Sequence, residues 1–507
     1  MTSIKQNISA KILNKRRQYL ALVFLVLVIT AQPSCKKLVD IPPPTQTIAE
    51  NKVYTTDATA IGVLDGMYAT LTNDGFGYPF QGSRSIGLSA GLSADELNVF
   101  QTDNPNYAYY RNDLAVTRAG YDLWAPMYNN VYVCNAAIEG LQKSTTLTAA
   151  VKQQLLGEAK FMRAFFYFYL VNLFGDVPLV ISTDPTVNTS LARTSKADVY
   201  KQIITDLIEA KDLMNSDYPD ATLLGSTSER IRPNKWAAEA LLSRVYLFTG
   251  DYANAEVEAS GIINNTGLYE LLPDLNSVFL KNSKEAIWQL QPTSIGLNTV
   301  EGRMYVIPPT GPGGYNPVLL SKYLLNSFEP GDQRAVLGNW INTTIYQNTP
   351  TTFDTVHYSY KYKIYEAPGV TSIRDMSEYF MVLRLGEQYL IRAEARARIG
   401  SNLSGAIADL DKIRDRAGLS SIATTNPGIS QSALMDTIMH ERQVELFCEW
   451  GHRWLDLKRT GKVDAVMSVM TPLKSNGAIS WRSYQQYYPI NQDELNKAPN
   501  LTQTNGY

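Results

Sequence analysis

The side chains that could do catalytic chemistry are few, and most are wrongly spaced for it. There are three histidines, His357, His440 and His452. His440-Glu441 would hold zinc on a helix only with a second histidine at position 444, and that residue is Val444. No Cys/His cluster has metal-ligand spacing, so neither a metal nor a cofactor is expected. No Gly-x-Ser-x-Gly nucleophile elbow occurs. Gly311-Pro312-Gly313-Gly314 lacks the Lys-Ser/Thr of a phosphate loop and is a turn sequence. A glycosidase's carboxylate pair carries no local signature, so that class stays open at this stage. Glu441, Glu445 and Glu449 recur every four residues, and like charges so placed repel unless cations answer them. Arg442, Arg453, Lys458 and Arg459 are the candidates nearby. The group is either a catalytic site or a buried ion-pair network docking two helices, and the network is the favoured reading.

Recognition chemistry is better represented. Tyrosine is in excess, 31 residues against 15 Phe and 7 Trp. A flat apolar face with a polar tip suits a binding surface, although many such rings could equally line the rim of the core. Two long stretches, 73–118 and 291–375, have no sustained period and are rich in aromatic residues, Gly, Asn and Thr. Loops of that length are functional or disordered, and their aromatic content argues against disorder. Flat rings beside polar donors are the expected ligand contacts. In the first stretch these are Arg84, Asp95, Asn98, Phe100, Tyr107, Tyr109 and Tyr110. In the second they are Tyr305, Tyr315 and Trp340.

Helices must hold these stretches out. Leu155, Ala159, Met162, Phe166, Tyr169 and Leu173 mark one helical face, and Phe161, Phe165 and Phe168 a second. A helix apolar on two faces is packed between neighbours. Gly175-Asp176-Val177-Pro178 ends it. Asp122–Leu141 is the preceding helix. Asn234–Phe248 and Ala253–Ile263 flank a turn at Gly250, and Leu385–Ile399 and Leu403–Ala417 flank Gly400. Both pairs have the grammar of a tetratricopeptide hairpin, unrelated helical hairpins being the alternative.

The first residues are expected to be removed. Lys5, Lys11, Lys15, Arg16 and Arg17 precede an apolar run, Tyr19–Ile29, too short for the about 20 residues that span a bilayer. This is a secretion signal. Ala31 to Cys35 resembles a lipoprotein cleavage site, with Cys35 the lipidated first residue; ordinary cleavage would leave Cys35 free. Lys36 to Pro44 then makes a proline-stiffened tether. At 507 residues the rest can bury a large core. Losing the leader's five cations leaves 48 acidic side chains in clear excess, so no nucleic-acid partner is expected. Cys134 and Cys448 lie in apolar helical text and are buried small residues or one disulfide.

Four ordered segments resemble the SusD/RagB family of outer-membrane nutrient-binding lipoproteins. They are Ser34 to Asp40 with its prolines, Glu158 to Leu179, Glu441 to Arg459, and the end from Tyr488 to Tyr507. The resemblance implies a mostly α fold: a tetratricopeptide-like helical-hairpin scaffold with long irregular loops and minor β structure. Residues 1–34 would be the signal peptide and 35–50 the lipidated tether. Residues 51–225 would form an N-terminal helical region with aromatic loops, and 226–507 a C-terminal region with hairpins, a loop-rich insert and a terminal strap. It further implies a lipid-anchored protein of the outer-membrane surface, without catalytic activity. Such a protein closes as a hinged lid on a SusC-like TonB-dependent barrel transporter and captures a glycan or, in some members, a peptide. A surface glycosidase and a pure protein scaffold are the rival classes.

Overall fold

Two apolar stripes on one segment demand partners on both sides. In the computed structural model of the protein that segment is the helix Ala149–Phe174, buried at every residue from Phe161 to Phe174. The structure describes residues 50–72, 85–102, 106–117 and 121–507. The leader, Cys35, the tether before Glu50, and Arg84 lie outside the described residues. Residues 53–507 make one unit.

Twelve of the described helices build the scaffold and its cavity-bearing side. The first six are α1 (Asp57–Leu71), α2 (Ile86–Ser93), α3 (Tyr121–Lys143), α4 (Ala149–Phe174), α5 (Lys196–Leu213) and α6 (Lys235–Thr249). The rest are α7 (Tyr252–Ile263), α8 (Leu385–Ile399), α9 (Leu403–Arg416), α10 (Gln431–Glu445), α11 (His452–Arg459) and α12 (Val463–Lys474). From α3 to α9 each helix packs on the next in order. The hairpin turns have the chemistry their sequences announce. Gly250 (φ 81°) ends α6 in the left-handed region, and the Asp251 carboxylate accepts from the Asn254 amide at 3.2 Å to start α7. Gly400 (φ 80°) and Asn402 do the same between α8 and α9. The mostly α, tetratricopeptide-like scaffold expected from sequence is the fold observed.

Buried bidentate ion pairs fasten neighbouring helices. Arg163 on α4 holds Asp206 on α5 at 2.6 and 2.8 Å. Arg244 on α6 holds Glu387 on α8 at 2.6 and 2.7 Å, and Arg392 on α8 holds Asp409 on α9 at 2.6 and 2.9 Å. Removing one partner of such a pair strands a charge in a dry interior.

Among the described residues the named strands form three antiparallel two-stranded ladders. β1 (Leu97–Val99) pairs with β3 (Val318–Leu320), β2 (Ala286–Leu290) with β6 (Phe380–Arg384), and β4 (Ile341–Thr349) with β5 (Thr352–Ser359). The β4–β5 hairpin falls in a stretch expected to be irregular. Tyr346, Val356 and Tyr358 face a small core, while Ile345 and Phe353 on the other face are 65% and 67% exposed. Apolar residues on both faces hide the period-two signal.

Residues 483–507 return as a strap across the N-terminal half. Tyr488 is fully buried; its hydroxyl lies 2.9 Å from that of Ser93, and its amide donates to the Leu173 carbonyl at 2.8 Å. No described helix is long and apolar enough to cross a membrane. Cys134 is buried in α3, and Cys448 occupies a turn with φ 57° between α10 and α11, which corrects its expected place in a helix. Both are free thiols.

Candidate ligand-binding site

Strand pairing brings the two unpatterned stretches together. Leu97 and Leu320 are buried opposite each other, and the register sets Asn98 against Leu319. Ser321 follows at once; its amide donates to the Glu96 carbonyl at 2.8 Å and its hydroxyl caps the helical turn Lys322–Leu325. A second helical turn, Tyr107–Tyr110, is held from behind by Asn112 in the left-handed region (φ 54°). The Asn112 carboxamide donates to the Ser93 carbonyl at 3.0 Å and accepts from Thr471 at 3.0 Å. Gln485 of the strap donates to its carbonyl at 2.7 Å.

Between the two turns lies a cavity of about 320 Å³, lined by Asn98, Tyr110, Lys322, Tyr323, Leu473 and Lys474. Tyr107 stacks on Tyr110, with ring centroids 6.0 Å apart and planes 24° apart, and the Arg111 guanidinium lies 5.0 Å above Tyr107. Lys474 closes the floor. Its ammonium donates to the carbonyls of Leu92 and Ala94 at the end of α2 and lies 5.2 Å above the Tyr110 ring. Burial pushes this amine down to about 7, against the opposing pull of Asp95. Beside the cavity Arg453 grips Asp95 at 2.7 and 2.8 Å. Burial pushes the Asp95 carboxyl up, and the Arg453 hydrogen bonds and charge outweigh it, so the group stays below the usual range. Its neighbour Glu96 is pushed up to about 8 by burial and by the Asp95 charge.

The structure sorts the residues proposed from sequence. Asn98 and Tyr110 line the cavity and Tyr107 supports it. Phe100 packs edge-on to Tyr346 of the hairpin at 6.3 Å. Tyr315 is 64% exposed, with the Arg303 guanidinium 3.7 Å from its ring. Four others were expected on exposed loops and are interior instead. Trp340 is fully buried; its indole donates to the Leu275 carbonyl at 2.9 Å, and its ring faces Lys361 at 4.6 Å. Tyr305 ends a buried turn, Val300–Tyr305, and Tyr109 packs edge-on to Tyr488 at 5.2 Å. Asp95 is consumed by Arg453. In each case a tertiary neighbour from a distant segment covers a side chain whose own surroundings are loop-like.

Lys322, Tyr323, Leu473 and Lys474 were not anticipated. Lys474 lies at the end of a helix, where nothing local separates a cavity floor from a surface lysine. Among the described residues, two larger cavities, about 640 and 630 Å³, fit flat ligands less well. The first, beside Met435, Met439 and Leu457, has no Phe, Tyr or Trp in its described lining. The second contains Tyr68 and Tyr379, which are 9% and 1% exposed and so offer little ring face.

The acidic run is a buried ion-pair network, but its cations are not the expected ones. Arg334 reaches Glu441 at 2.6 Å and Glu445 at 3.0 Å; Arg384 reaches Glu445 at 2.6 Å and Glu449 at 2.8 Å; Lys361 reaches Glu449 at 2.6 Å. Arg416 also pairs with Glu445. The nearby cations serve elsewhere: Arg442 and Arg459 hold Asp456, Arg453 holds Asp95, and Lys458 donates to the Asn172 carbonyl. α10 ends at Glu445, so Glu449 belongs to the turn beyond it and not to the same face. Glu329, His440 and Glu441 come close enough to suggest a cation site. However, Arg414 and Arg334 already neutralise the two carboxylates, at 2.6 Å each.

A helical-hairpin scaffold presenting a loop-built aromatic cavity defines a binding protein by architecture. Known proteins give the same picture. One family model, the SusD family, matches residues 329–507, and another, described as starch-binding and associating with the outer membrane, matches residues 64–247. The chain belongs to the SusD/RagB family. SusD-like protein P2 of Formosa agariphila is 26% identical over 480 residues, spanning 86% of this chain and 90% of that protein. The starch-binding protein SusD of Bacteroides thetaiotaomicron is 23% identical over 470 residues, spanning 78% of this chain and 79% of that one. Surface glycan-binding protein A from Bacteroides uniformis shares the fold, with a TM-score of 0.72 at 18% identity over 88% of this chain and 99% of that one.

Proposed function

We propose that the protein is a surface lipoprotein of the outer membrane, anchored through Cys35, that captures a glycan and passes it to a SusC-like TonB-dependent barrel transporter. The observation that carries this reading is the Tyr107–Tyr110 stack beside Asn98 at the mouth of a cavity large enough for one sugar ring. Sugar rings present C–H faces to aromatic planes, and a carboxamide supplies both donor and acceptor to hydroxyls. The starch-binding and glycan-binding names of the relatives support the ligand class.

Calorimetry against a panel of polysaccharides and peptides tests the reading, with product analysis run on the same mixtures. Binding of at least one polysaccharide without product release is expected. Binding of peptides alone would move the protein to the peptide-capturing members, and release of product would make it a glycosidase. Co-purification of the barrel with the intact lipoprotein tests the partner.

A further inference from the structure

We propose that the cavity between Tyr110 and Tyr323 selects an anionic sugar, so that the captured glycan is an acidic polysaccharide. This rests on the glycan reading above and adds its charge class. Two of the six lining side chains are lysines and none is a carboxylate. Lys322 is exposed, stands 5.3 Å from the Tyr323 ring, and has no carboxylate partner among the described residues. Lys474 is held by the main-chain carbonyls of Leu92, Ser93 and Ala94, and burial brings its amine to about 7, so Lys322 carries the cavity's standing charge.

The nearby acids form no ion pair with Lys322 among the described residues. Asp95 is fully engaged by Arg453, and the carboxyl of Glu96 is buried and favours its protonated form. The cavity mouth therefore carries the uncompensated positive charge of Lys322 beside the Tyr110 and Tyr323 rings. The chain as a whole is slightly acidic, with 48 Asp and Glu against 46 Lys and Arg, so overall charge would not draw a polyanion to it. The geometry fits one ring stacked on Tyr110 with its negative group turned toward Lys322. A uronate carboxylate and a sulfate ester share that chemistry.

The test is calorimetry on the intact protein with three probes: oligogalacturonate for the carboxylate, carrageenan oligosaccharides for the sulfate ester, and neutral malto-oligosaccharides. One acidic probe should bind about tenfold or more tighter than the neutral one, weaken as NaCl is raised, and lose about tenfold in affinity in Lys322→Gln, the loss expected for one charge contact. The arm that binds identifies the anion. Lys474→Gln removes the buried amine but also uncaps α2, so the exposed Lys322 variant carries the decision. Tighter binding of the neutral probe would overturn this inference and leave glycan capture standing. Binding to none of the three would overturn this inference, while binding elsewhere on the wider polysaccharide panel would still preserve glycan capture. Acidic binding unchanged in Lys322→Gln would place the ligand elsewhere and also overturn it.

Discussion

Arg384 and Glu445 are 61 residues apart in the chain and 2.6 Å apart in the fold. Around them Arg334, Arg416, Lys361 and Glu449 complete a charge cluster in which β6, α9 and α10 meet. Glu445 is fully buried and answers three arginines. Glu445→Ala should therefore destabilise the protein by about 3–5 kcal/mol, the penalty for leaving buried charges unanswered. Denaturant unfolding followed by tryptophan fluorescence reads this directly. A loss within the scatter of surface substitutions would show that the cluster contributes little.

Stability should fall on both sides of a mildly acidic optimum, for separable reasons. Burial raises the Glu387 carboxyl, but the Arg244 and His452 charges outweigh it and bring the group to about 2. A depressed acid contributes stability above its unfolded pKa and loses it as pH falls toward the folded value. This loss, of order 3 kcal/mol, should develop below about pH 4.5. Glu96 behaves oppositely: burial holds it near 8, so its contribution is complete below its unfolded pKa and drains away as pH rises toward 8. Glu96→Gln should raise stability at pH 8 by roughly 1–3 kcal/mol and leave it unchanged at pH 4. An unaltered alkaline slope in that variant would show Glu96 to be ionised without cost.

Tyr110 and Trp340 should separate recognition from packing. Tyr110→Ala removes a cavity wall and should weaken glycan binding by about 1–2 kcal/mol with little change in melting temperature. Trp340→Ala opens a void in the core and should destabilise by about 3–5 kcal/mol. At temperatures where it stays folded, its affinity should match the wild type. The crossed measurement, calorimetry and thermal melting on both variants, gives the answer, and a binding loss in folded Trp340→Ala would return that residue to the ligand.

Cys35→Ser should release the protein from membranes. Fractionation of cells producing the intact chain is expected to find the wild type with the outer membrane and the variant free in the periplasm. Retention of the variant in the membrane would assign the anchoring to something other than acylation.

How much of this was legible beforehand depended on whether a residue's surroundings are local. The double stripe of α4, Gly250 before Asp251, and Gly400 before Asn402 are written within a few residues of where they act, and each appears in the fold as expected. The helical glutamates at 441 and 445 were legible as a buried charge network because unanswered charges on one face are unstable. Their partners were not, because Arg334, Lys361, Arg384 and Arg416 arrive from segments with unrelated local patterns. The same blindness misplaced Trp340 and Tyr305 outside the core. Asn98 and Tyr110, proposed from stretches with no apolar period, line the candidate cavity; Lys322 and Lys474 join them only through tertiary placement.

The strap gives the molecule an order of assembly. Tyr488 seals the interior beneath α2 and α4, and Gln485 fixes the Asn112 turn behind the tyrosine stack. The half that holds the candidate cavity therefore waits for residues 485–488 to emerge. A chain threaded across a membrane from its amino terminus would stay pliable during passage and set its cavity only on arrival.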